Sequence, residues 1–296
     1  MIRDPKVTQA SLYHHLKKYW TEKVTSGGRG EEAAQAIVSD LNEYLNAYKA
    51  LVGEWRPPTI EPECRTALQK LRYLDTPEMM YPYLMQLMKS HLDEDTSCED
   101  FLAVVDTIES FIIRRIFGGF SLGGMQVIFR QIWDTVGADS SALAERLGNR
   151  FPNDSEFMES VKNNDLYSKS RCRYVLAQYE RGFDRGDISE WDPRDITADH
   201  LMPQDIELED WPGVSRNDHK ELVDTWANLV PLSQKANSEK SSKSWSDVKV
   251  MMLEESGTVF KSTRDVFARN ESWDAQAIRS RAEDLARWAV DRWPKG

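Results

Sequence analysis

The sequence contains few cysteines, and their spacing does not form a known metal-binding pattern. Three occur among 296 residues, Cys64, Cys98 and Cys172, and no two of them make a C-x-x-C pair. This spacing excludes a zinc ribbon, and three scattered cysteines do not form a disulfide framework. We therefore expect an intracellular protein of a reducing compartment that binds no zinc.

Glycine and proline are also scarce, with 15 and 12 residues. Together with 29% charged residues, this composition excludes a fibrous repeat and a disordered chain. No apolar run reaches the length of a bilayer span, and residues 1–5 lack the apolar core of a signal peptide. We expect a soluble, cytoplasmic protein that has no membrane partner and folds around a large apolar core.

The chain also lacks an excess of basic residues. It carries 38 Lys and Arg against 49 Asp and Glu, a net charge of -11, which excludes a general phosphate-neutralising surface. Residues 235–296 are the exception, with 12 basic and 10 acidic residues. Any contact with nucleic acid must therefore be local.

Helical spacing of apolar residues dominates the chain up to about residue 190. The clearest stripe consists of Phe101, Val104, Val105, Ile108, Ile112 and Ile116. Comparable stripes cover 8–24, 31–52, 77–92, 121–136 and 168–182. Strand-like alternation is almost absent. The pattern predicts a mainly α protein, a multi-helix bundle with roughly eight or nine helices before residue 190, whose stripes form the core.

The pattern changes after residue 190, where the chain becomes acidic and rich in turns. Two short β-prone stretches, 196–202 and 228–232, precede a Ser- and Lys-rich stretch at 238–246. That stretch has the composition of a linker, but Asn237-Ser238 is a good helix N-cap, which favours a short helix. We predict a small strand, loop, strand and helix unit embedded in a helical protein. Two further helical runs follow, at 247–268 and 274–292.

One of the five histidines, His200, stands in a chemically useful pattern. It follows Asp199 at the end of the first predicted strand, Asn228 opens the second strand, and Asn237 comes nine residues later. A strand pair followed by a helix brings Asp199 beside Asn237, where their oxygens suit Mg²⁺. His200 would act as the general base on water, since imidazole changes charge near neutral pH. Asn228 would tie the 203–227 loop and orient the His200 ring.

The other histidines have no recognisable partner pattern, so we expect them to be solvated or structural. They are His14, His15, His91 and His219.

The residues around His200 resemble a known nuclease motif. Asp199-His200-x-x-Pro203-Gln204, Asn228-Leu229 and Asn237 are similar to the zinc-free HNH motif, also called the ββα-metal or His-Me finger motif. They resemble still more closely the C-terminal nuclease domain of GmrSD-type modification-dependent restriction enzymes. The likeness covers most of residues 100–250, and a phosphorothioate-sensing group of restriction nucleases shares the same pair of domains.

The resemblance implies an HNH endonuclease that hydrolyses DNA phosphodiester bonds, nicks with low sequence specificity and serves bacterial antiviral defence. It implies Mg²⁺ or Mn²⁺ as cofactor and no zinc. His200, Asn228 and Asn237 would be the catalytic residues, and Asp199 and Asn237 the metal ligands. The domains would be a helical domain at 1–190, an HNH unit at 191–250 and C-terminal helices at 251–296 that pack on the nuclease.

The resemblance also implies partners. Double-stranded DNA would be the substrate, and its phosphates would meet Lys235, Lys240 and Lys243. A modification-sensing domain that uses nucleotide is expected on the N-terminal side but not in this chain, where no phosphate-binding glycine loop is visible. The protein could also form a homo-oligomer. The alternative function is a non-catalytic, DNA- or subunit-binding helical module with a vestigial HNH unit.

Two other features have a structural and a functional interpretation. Arg114-Arg115 can contact phosphate, but on an apolar helix an ion pair with a carboxylate is the commoner role. Seven of the ten tryptophans lie after residue 190 and can stack on bases, although anchoring of core and loops is favoured. They are Trp191, Trp211, Trp226, Trp245, Trp273, Trp288 and Trp293.

Overall fold

The structure is a computed structural model that describes residues 11–25, 30–58, 60–183, 193, 196–240, 244–254 and 258–296. Within these residues it contains fifteen α-helices and one two-stranded sheet. The predicted mainly α class is confirmed. None of the helices in the described part is long and apolar enough to cross a membrane.

The helices are α1 (Leu12–Thr25), α2 (Gly30–Val52), α3 (Pro62–Tyr73), α4 (Tyr81–Leu92), α5 (Cys98–Phe117), α6 (Gln126–Gln131), α7 (Trp133–Val136), α8 (Ser140–Leu147), α9 (Asp154–Asn163), α10 (Cys172–Arg181), α11 (Arg216–Leu222), α12 (Gln234–Lys240), α13 (Trp245–Leu253), α14 (Lys261–Arg269) and α15 (Ala275–Arg292). Strand β1 (Thr197–His200) lies between α10 and α11, and strand β2 (Leu229–Leu232) between α11 and α12.

The chain divides into two compact units. The first comprises Met1–Ile112, Leu122–Arg150 and Gly296, and the second comprises Ile113–Ser121 and Phe151–Lys295. The domain limits that we predicted at residues 190 and 250 both fall inside the second unit.

The first unit is held together by helix packing and by one covalent bond. A disulfide joins Cys64 near the start of α3 to Cys98 at the start of α5, with Cα atoms 6.3 Å apart. We predicted no disulfide framework, and this single bond was not foreseen from the sequence. The reason is tertiary, because two helix ends that are 34 residues apart in sequence meet in the fold. Cys172, in the second unit, is free and buried, and burial raises the pKa of its thiol to about 12.

The core of the second unit is an aromatic cluster around Trp226. The ring of Trp226 lies 5.6 Å from that of Phe117, 5.7 Å from Tyr179 and 5.9 Å from Trp288. Trp226 and Trp293 are fully buried. The favoured interpretation of the tryptophans as core anchors holds for these two residues, since buried rings cannot stack on bases.

The predicted strand, loop, strand and helix unit is present in the second unit. Strands β1 and β2 pair antiparallel, with Asp199 opposite Val230 and His200 opposite Leu229. Helix α12 then begins directly after Ser233, whose hydroxyl accepts a hydrogen bond from the Ala236 amide at 3.2 Å. The predicted N-cap at Asn237-Ser238 is thus corrected, because Ser233 caps the helix and Asn237 lies within it.

Helices from the C-terminal part contact strand β2. Thr263 of α14 donates its hydroxyl to the Pro231 carbonyl at 2.7 Å. Arg281 of α15 donates to the Leu229 carbonyl at 3.0 Å and to the Ala227 carbonyl at 2.7 Å. These bonds satisfy carbonyls that the two-stranded sheet leaves unpaired, so the short hairpin depends on α14 and α15 for its position.

Candidate active site

The His200 ring is fixed by a carboxylate. Its Nε2 lies 2.9 Å from Oδ1 of Asp224, and the side chain is 10% exposed. A carboxylate only accepts hydrogen bonds, so the ring carries its proton on Nε2 and leaves Nδ1 with a lone pair. No described residue bonds Nδ1. The arrangement is that of an oriented general base.

A second aromatic ring covers the imidazole. The Tyr167 ring lies 4.3 Å from the His200 ring, measured between centroids. The backbone around Tyr167 also bonds Asp224. The amides of Leu166 and Tyr167 donate to the Asp224 carbonyl at 2.9 and 3.2 Å. Gln204 also donates to Oδ1 of Asp224, at 3.0 Å. Asp224, which orients His200, is therefore held through both its backbone carbonyl and its carboxylate.

Neither Asp224 nor Tyr167 was assigned a role from the sequence. Asp224 ends the long loop before the second strand and Tyr167 lies more than thirty residues before His200. The only sequence signal was that Asp224 lies within residues 100–250, the part of the chain that resembles the nuclease family. No local spacing connects it with His200.

Asn228 bonds the backbone near both ends of the 203–227 loop, at Met202 and Val223, and does not bond the His200 ring. Its Oδ1 accepts from the Met202 amide at 2.8 Å and from the Trp273 indole at 3.0 Å. Its Nδ2 donates to the carbonyls of Met202 and Val223, both at 2.8 Å. All four hydrogen-bonding positions of the amide are thus in use. The predicted orienting bond to the ring is corrected, because Asp224 makes that bond.

Replacing Asn228 with alanine should destabilise the protein by at least about 1–3 kcal/mol, because buried amides and carbonyls lose their partners. Asn228 is fully buried. Urea unfolding of the variant would measure the loss. Asn217→Ala is the matched control, since Asn217 makes one exposed hydrogen bond to Glu221. Equal stability of the two variants would contradict the role that we assign to Asn228.

Asp199 faces helix α12. Its Oδ2 accepts a hydrogen bond from the Lys240 ammonium at 2.6 Å, and the same ammonium also bonds the His200 carbonyl. The side chains of Asp199 and Lys240 are only 13% and 7% exposed. Successive residues of a strand point to opposite faces, which explains why Asp199 meets α12 while the His200 ring meets Asp224.

Asn237 lies on the inner face of α12. It precedes Lys240 by three residues, and residues at that spacing share a helix face. Ala236 and Lys240 are buried and Asn237 is half-buried, which places this face toward the hairpin. The structure thus brings Asp199 and the Asn237 face of α12 to the same side of the sheet.

The three predicted phosphate-binding lysines differ in their surroundings. Lys235 is 84% exposed and lies 3.8 Å from Glu239. Lys240 is buried against Asp199, as described above, and so does not present its ammonium to solvent. Lys243 lies outside the described residues.

A cavity of about 510 Å³ opens beside Asp224. Its walls include three cationic side chains, Lys162, Lys220 and Arg279. Lys162 pairs with Glu283 at 3.2 Å, and Arg279 pairs with Asp218 at 2.6 Å. Carboxylates thus neutralise much of the positive charge near the site, which agrees with the acidic composition of residues 200–234.

Comparison with known proteins identifies this part of the chain. Residues 151–288 match the family model of the GmrSD restriction endonucleases, C-terminal domain. The match contains both strands, α12, His200 and Asp224, and it confirms the family predicted from the sequence. Residues 151–288, just under half of the chain, are therefore similar to a restriction-endonuclease domain, which suggests nuclease activity on DNA. No curated protein and no solved structure matches the chain significantly.

Proposed function

We propose that this protein is a metal-dependent HNH endonuclease that nicks DNA with low sequence specificity. It would serve as the nuclease part of a modification-dependent restriction system in the bacterial cytoplasm. The observation that carries the proposal is the Asp224–His200 pair at the end of β1, within a strand, strand and helix unit that lies inside the matched segment.

The proposed chemistry begins with proton transfer to His200. Nδ1 accepts a proton from the attacking water, and the water oxygen then attacks phosphorus. Asp224 stabilises the imidazolium that results, because its carboxylate already accepts the Nε2 proton at 2.9 Å. Tyr167 covers one side of the ring and prevents it from rotating away from Asp224. Asn228 keeps the 201–202 turn in place, and with it the end of β1.

The residues near Asp199 fit a hard divalent cation. Asp199 offers a carboxylate and Asn237 an amide oxygen, and both are ligand types that Mg²⁺ and Mn²⁺ prefer. The buried Asp199 carboxylate already attracts a cationic group, the Lys240 ammonium. When bound, the metal would supply charge stabilisation for the scissile phosphate.

Manganese should stabilise the wild-type protein against heat and should not stabilise an Asp199→Ala, Asn237→Ala double variant. At about 100 times the dissociation constant, ligand linkage gives about 2.7 kcal/mol. In a domain of this size that corresponds to roughly 5–10 °C in Tm. Thermal unfolding with and without Mn²⁺ measures the shift. An equal shift in the double variant would refute metal binding by these two residues.

The alternative function is the non-catalytic module with a vestigial site, and one contact favours it. The Lys240 ammonium neutralises Asp199, the carboxylate that a catalytic metal would need. In an active nuclease the ammonium must leave Asp199 when the metal binds.

Replacing Lys240 with glutamine separates these two functions. If metal and ammonium compete for Asp199, Lys240→Gln should lower the Mn²⁺ concentration that gives half-maximal thermal stabilisation by roughly 10-fold, which equals about 1.4 kcal/mol. Lys235→Gln is the control, since its ammonium is exposed and lies 3.8 Å from the exposed carboxylate of Glu239. Unchanged metal affinity in Lys240→Gln, with weaker DNA binding, would instead support the predicted phosphate contact of Lys240.

The partners follow from the same proposal. Double-stranded DNA would be the substrate, and a separate modification-sensing domain that uses nucleotide would select it. Lys235 and Lys243 remain predicted phosphate contacts, and the proposal also allows a homo-oligomer. A low content of free positive charge around the site fits an enzyme that relies on another domain for DNA affinity.

A further inference from the structure

Two helix ends of the first unit bring together a group of metal-ligating side chains. Glu61 lies directly before α3, Cys64 lies in the first turn of α3, and His91 lies in the last turn of α4. One ligand atom from each of the three, a carboxylate oxygen, a sulfur and an imidazole nitrogen, lies within 4.8 Å of the others. Bonds from a Zn²⁺-sized ion to such atoms are about 2.0–2.3 Å long, so one ion can reach all three.

The tautomer of His91 suits a metal ligand. Its Nδ1 lies 2.9 Å from the Thr96 carbonyl, which only accepts hydrogen bonds, so Nδ1 carries a proton. Metal-binding histidines commonly donate their other ring nitrogen to a carbonyl in this way. The lone pair of a neutral ring is then on Nε2, which faces the cluster. The Phe101 ring packs at 5.0 Å and holds the imidazole in this orientation.

The contact between His91 and Glu61 places two ligand atoms side by side. Nε2 lies 3.3 Å from Oε2 of Glu61, and the His91 side chain is only 7% exposed. A neutral ring and a carboxylate would present two lone pairs to each other at this distance. A cation shared by the two atoms would remove this repulsion.

The third ligand is blocked by oxidation. Cys64 is buried, and its sulfur is bonded to Cys98 at the start of α5. A disulfide sulfur is a poor metal ligand, whereas a thiolate binds zinc strongly. The redox state of this one bond therefore determines whether the cluster offers two ligands or three.

We propose that the cluster of Glu61, Cys64 and His91 is a redox-gated site for a zinc-like divalent cation. A dithiol reductant attacks the Cys64–Cys98 bond by thiol–disulfide exchange and leaves as a disulfide, and its two electrons and two protons pass to the two cysteines. The Cys64 thiol then releases its proton to water as it binds the cation with His91 and Glu61. Oxidation of the thiol pair reverses the change and expels the ion.

The ligand set selects the class of cation. A thiolate, an imidazole and a carboxylate favour zinc and its substitute cobalt over magnesium or calcium. Our expectation of no zinc was based on sequence patterns such as C-x-x-C. Glu61 and Cys64 lie at the start of α3 and His91 at the end of α4, and only folding brings His91 to the other two.

Cobalt(II) titration of the full chain tests the proposal, because a thiolate bound to cobalt gives a charge-transfer absorption band. The dithiol-reduced wild-type protein, freed of excess dithiol, should bind one equivalent of Co²⁺ with that band, and the oxidised protein should not. Cys98→Ser cannot form the disulfide, so it should bind Co²⁺ without prior reduction. Cys64→Ser and His91→Ala should lose the band in both states.

Cys172→Ser is the matched control, since Cys172 is buried in the second unit and should leave the band unchanged. Circular dichroism of each variant shows whether it folds. If Cys64→Ser or His91→Ala does not fold, Cys98→Ser and the two redox states of the wild type still decide the matter. Absence of the band in both reduced wild type and folded Cys98→Ser, or equal binding by oxidised wild type, would overturn the proposal.

Discussion

Replacing His200 with alanine should lower the rate of DNA cleavage by about 10²–10⁴-fold, the usual contribution of a positioned general base. The variant keeps Asp224, Asp199 and Asn237, so metal binding and the fold should persist. The loss would come from proton transfer alone. Single-turnover cleavage at saturating Mn²⁺ measures this step directly.

His219→Gln is the matched control for this experiment. His219 lies in the same unit and bonds the Pro203 carbonyl at 2.9 Å, a contact that glutamine can keep. It should cleave at the wild-type rate. Asp224→Asn should also lower the rate, by up to about 10⁴-fold, because an amide in place of the carboxylate removes the charge that stabilises the imidazolium and can hold the wrong tautomer. Wild-type activity in Asp224→Asn would contradict the positioning role of that carboxylate.

Replacing Arg114 with alanine should destabilise the second unit by about 3–5 kcal/mol, because a large buried side chain is lost and two carbonyls lose their donor. The Arg114 side chain is fully buried. It donates to the Trp293 carbonyl at 2.7 Å and the Pro152 carbonyl at 3.1 Å, and it pairs with Asp154 at 2.7 Å. Its guanidinium also lies 4.7 Å from the Phe157 ring centre.

Burial of Arg114 lowers the pKa of its guanidinium, and the bond to Asp154 opposes this shift. The sequence interpretation of Arg114 as an ion-pair residue, and not a phosphate contact, agrees with this environment. Arg287→Ala is the control, because Arg287 is 67% exposed and its ion-pair partner, Asp284, is exposed as well. It should cost less than about 1 kcal/mol. Urea unfolding compares the two, and a similar small loss in both would show that the buried network contributes little.

Local sequence spacing was sufficient to place the predicted site residues on their elements. Asp199 and His200 lie on one short strand, Asn237 lies on one helix, and Asn228 directly precedes the paired strand. Their relation follows from the order of these elements along the chain. The two strands were predicted close to their observed limits for the same reason, since each is a short β-prone stretch in an otherwise helical protein.

The partners of these residues required the tertiary fold. Asp224 and Tyr167 reach His200 from distant segments, and the bond between Lys240 and Asp199 depends on how α12 packs on the hairpin. Alternation and helical spacing describe which face a residue occupies, but they do not identify what lies opposite. The Cys64–Cys98 disulfide was missed for this reason as well.

Helix boundaries were predicted well where apolar stripes were long and poorly where they were short. The stripe at 101–116 lies within α5, whereas α8 and α9 were not predicted individually. The run predicted at 247–268 forms two helices, α13 and α14. In α14 the first turn is capped from α10, where the Glu180 carboxylate accepts from the amides of Lys261 and Ser262 at 2.7 and 2.9 Å. Such a long-range cap leaves no mark in the local sequence.

Cleavage of supercoiled plasmid is the measurement that tests the central claim most directly. With Mn²⁺ or Mg²⁺, the wild-type protein should convert supercoiled DNA to open circles, and EDTA should abolish the conversion. His200→Ala, assayed beside it, should leave the plasmid supercoiled. Equal conversion by wild type and His200→Ala, or conversion that persists in EDTA, would contradict a metal-dependent nuclease that uses His200 as its base.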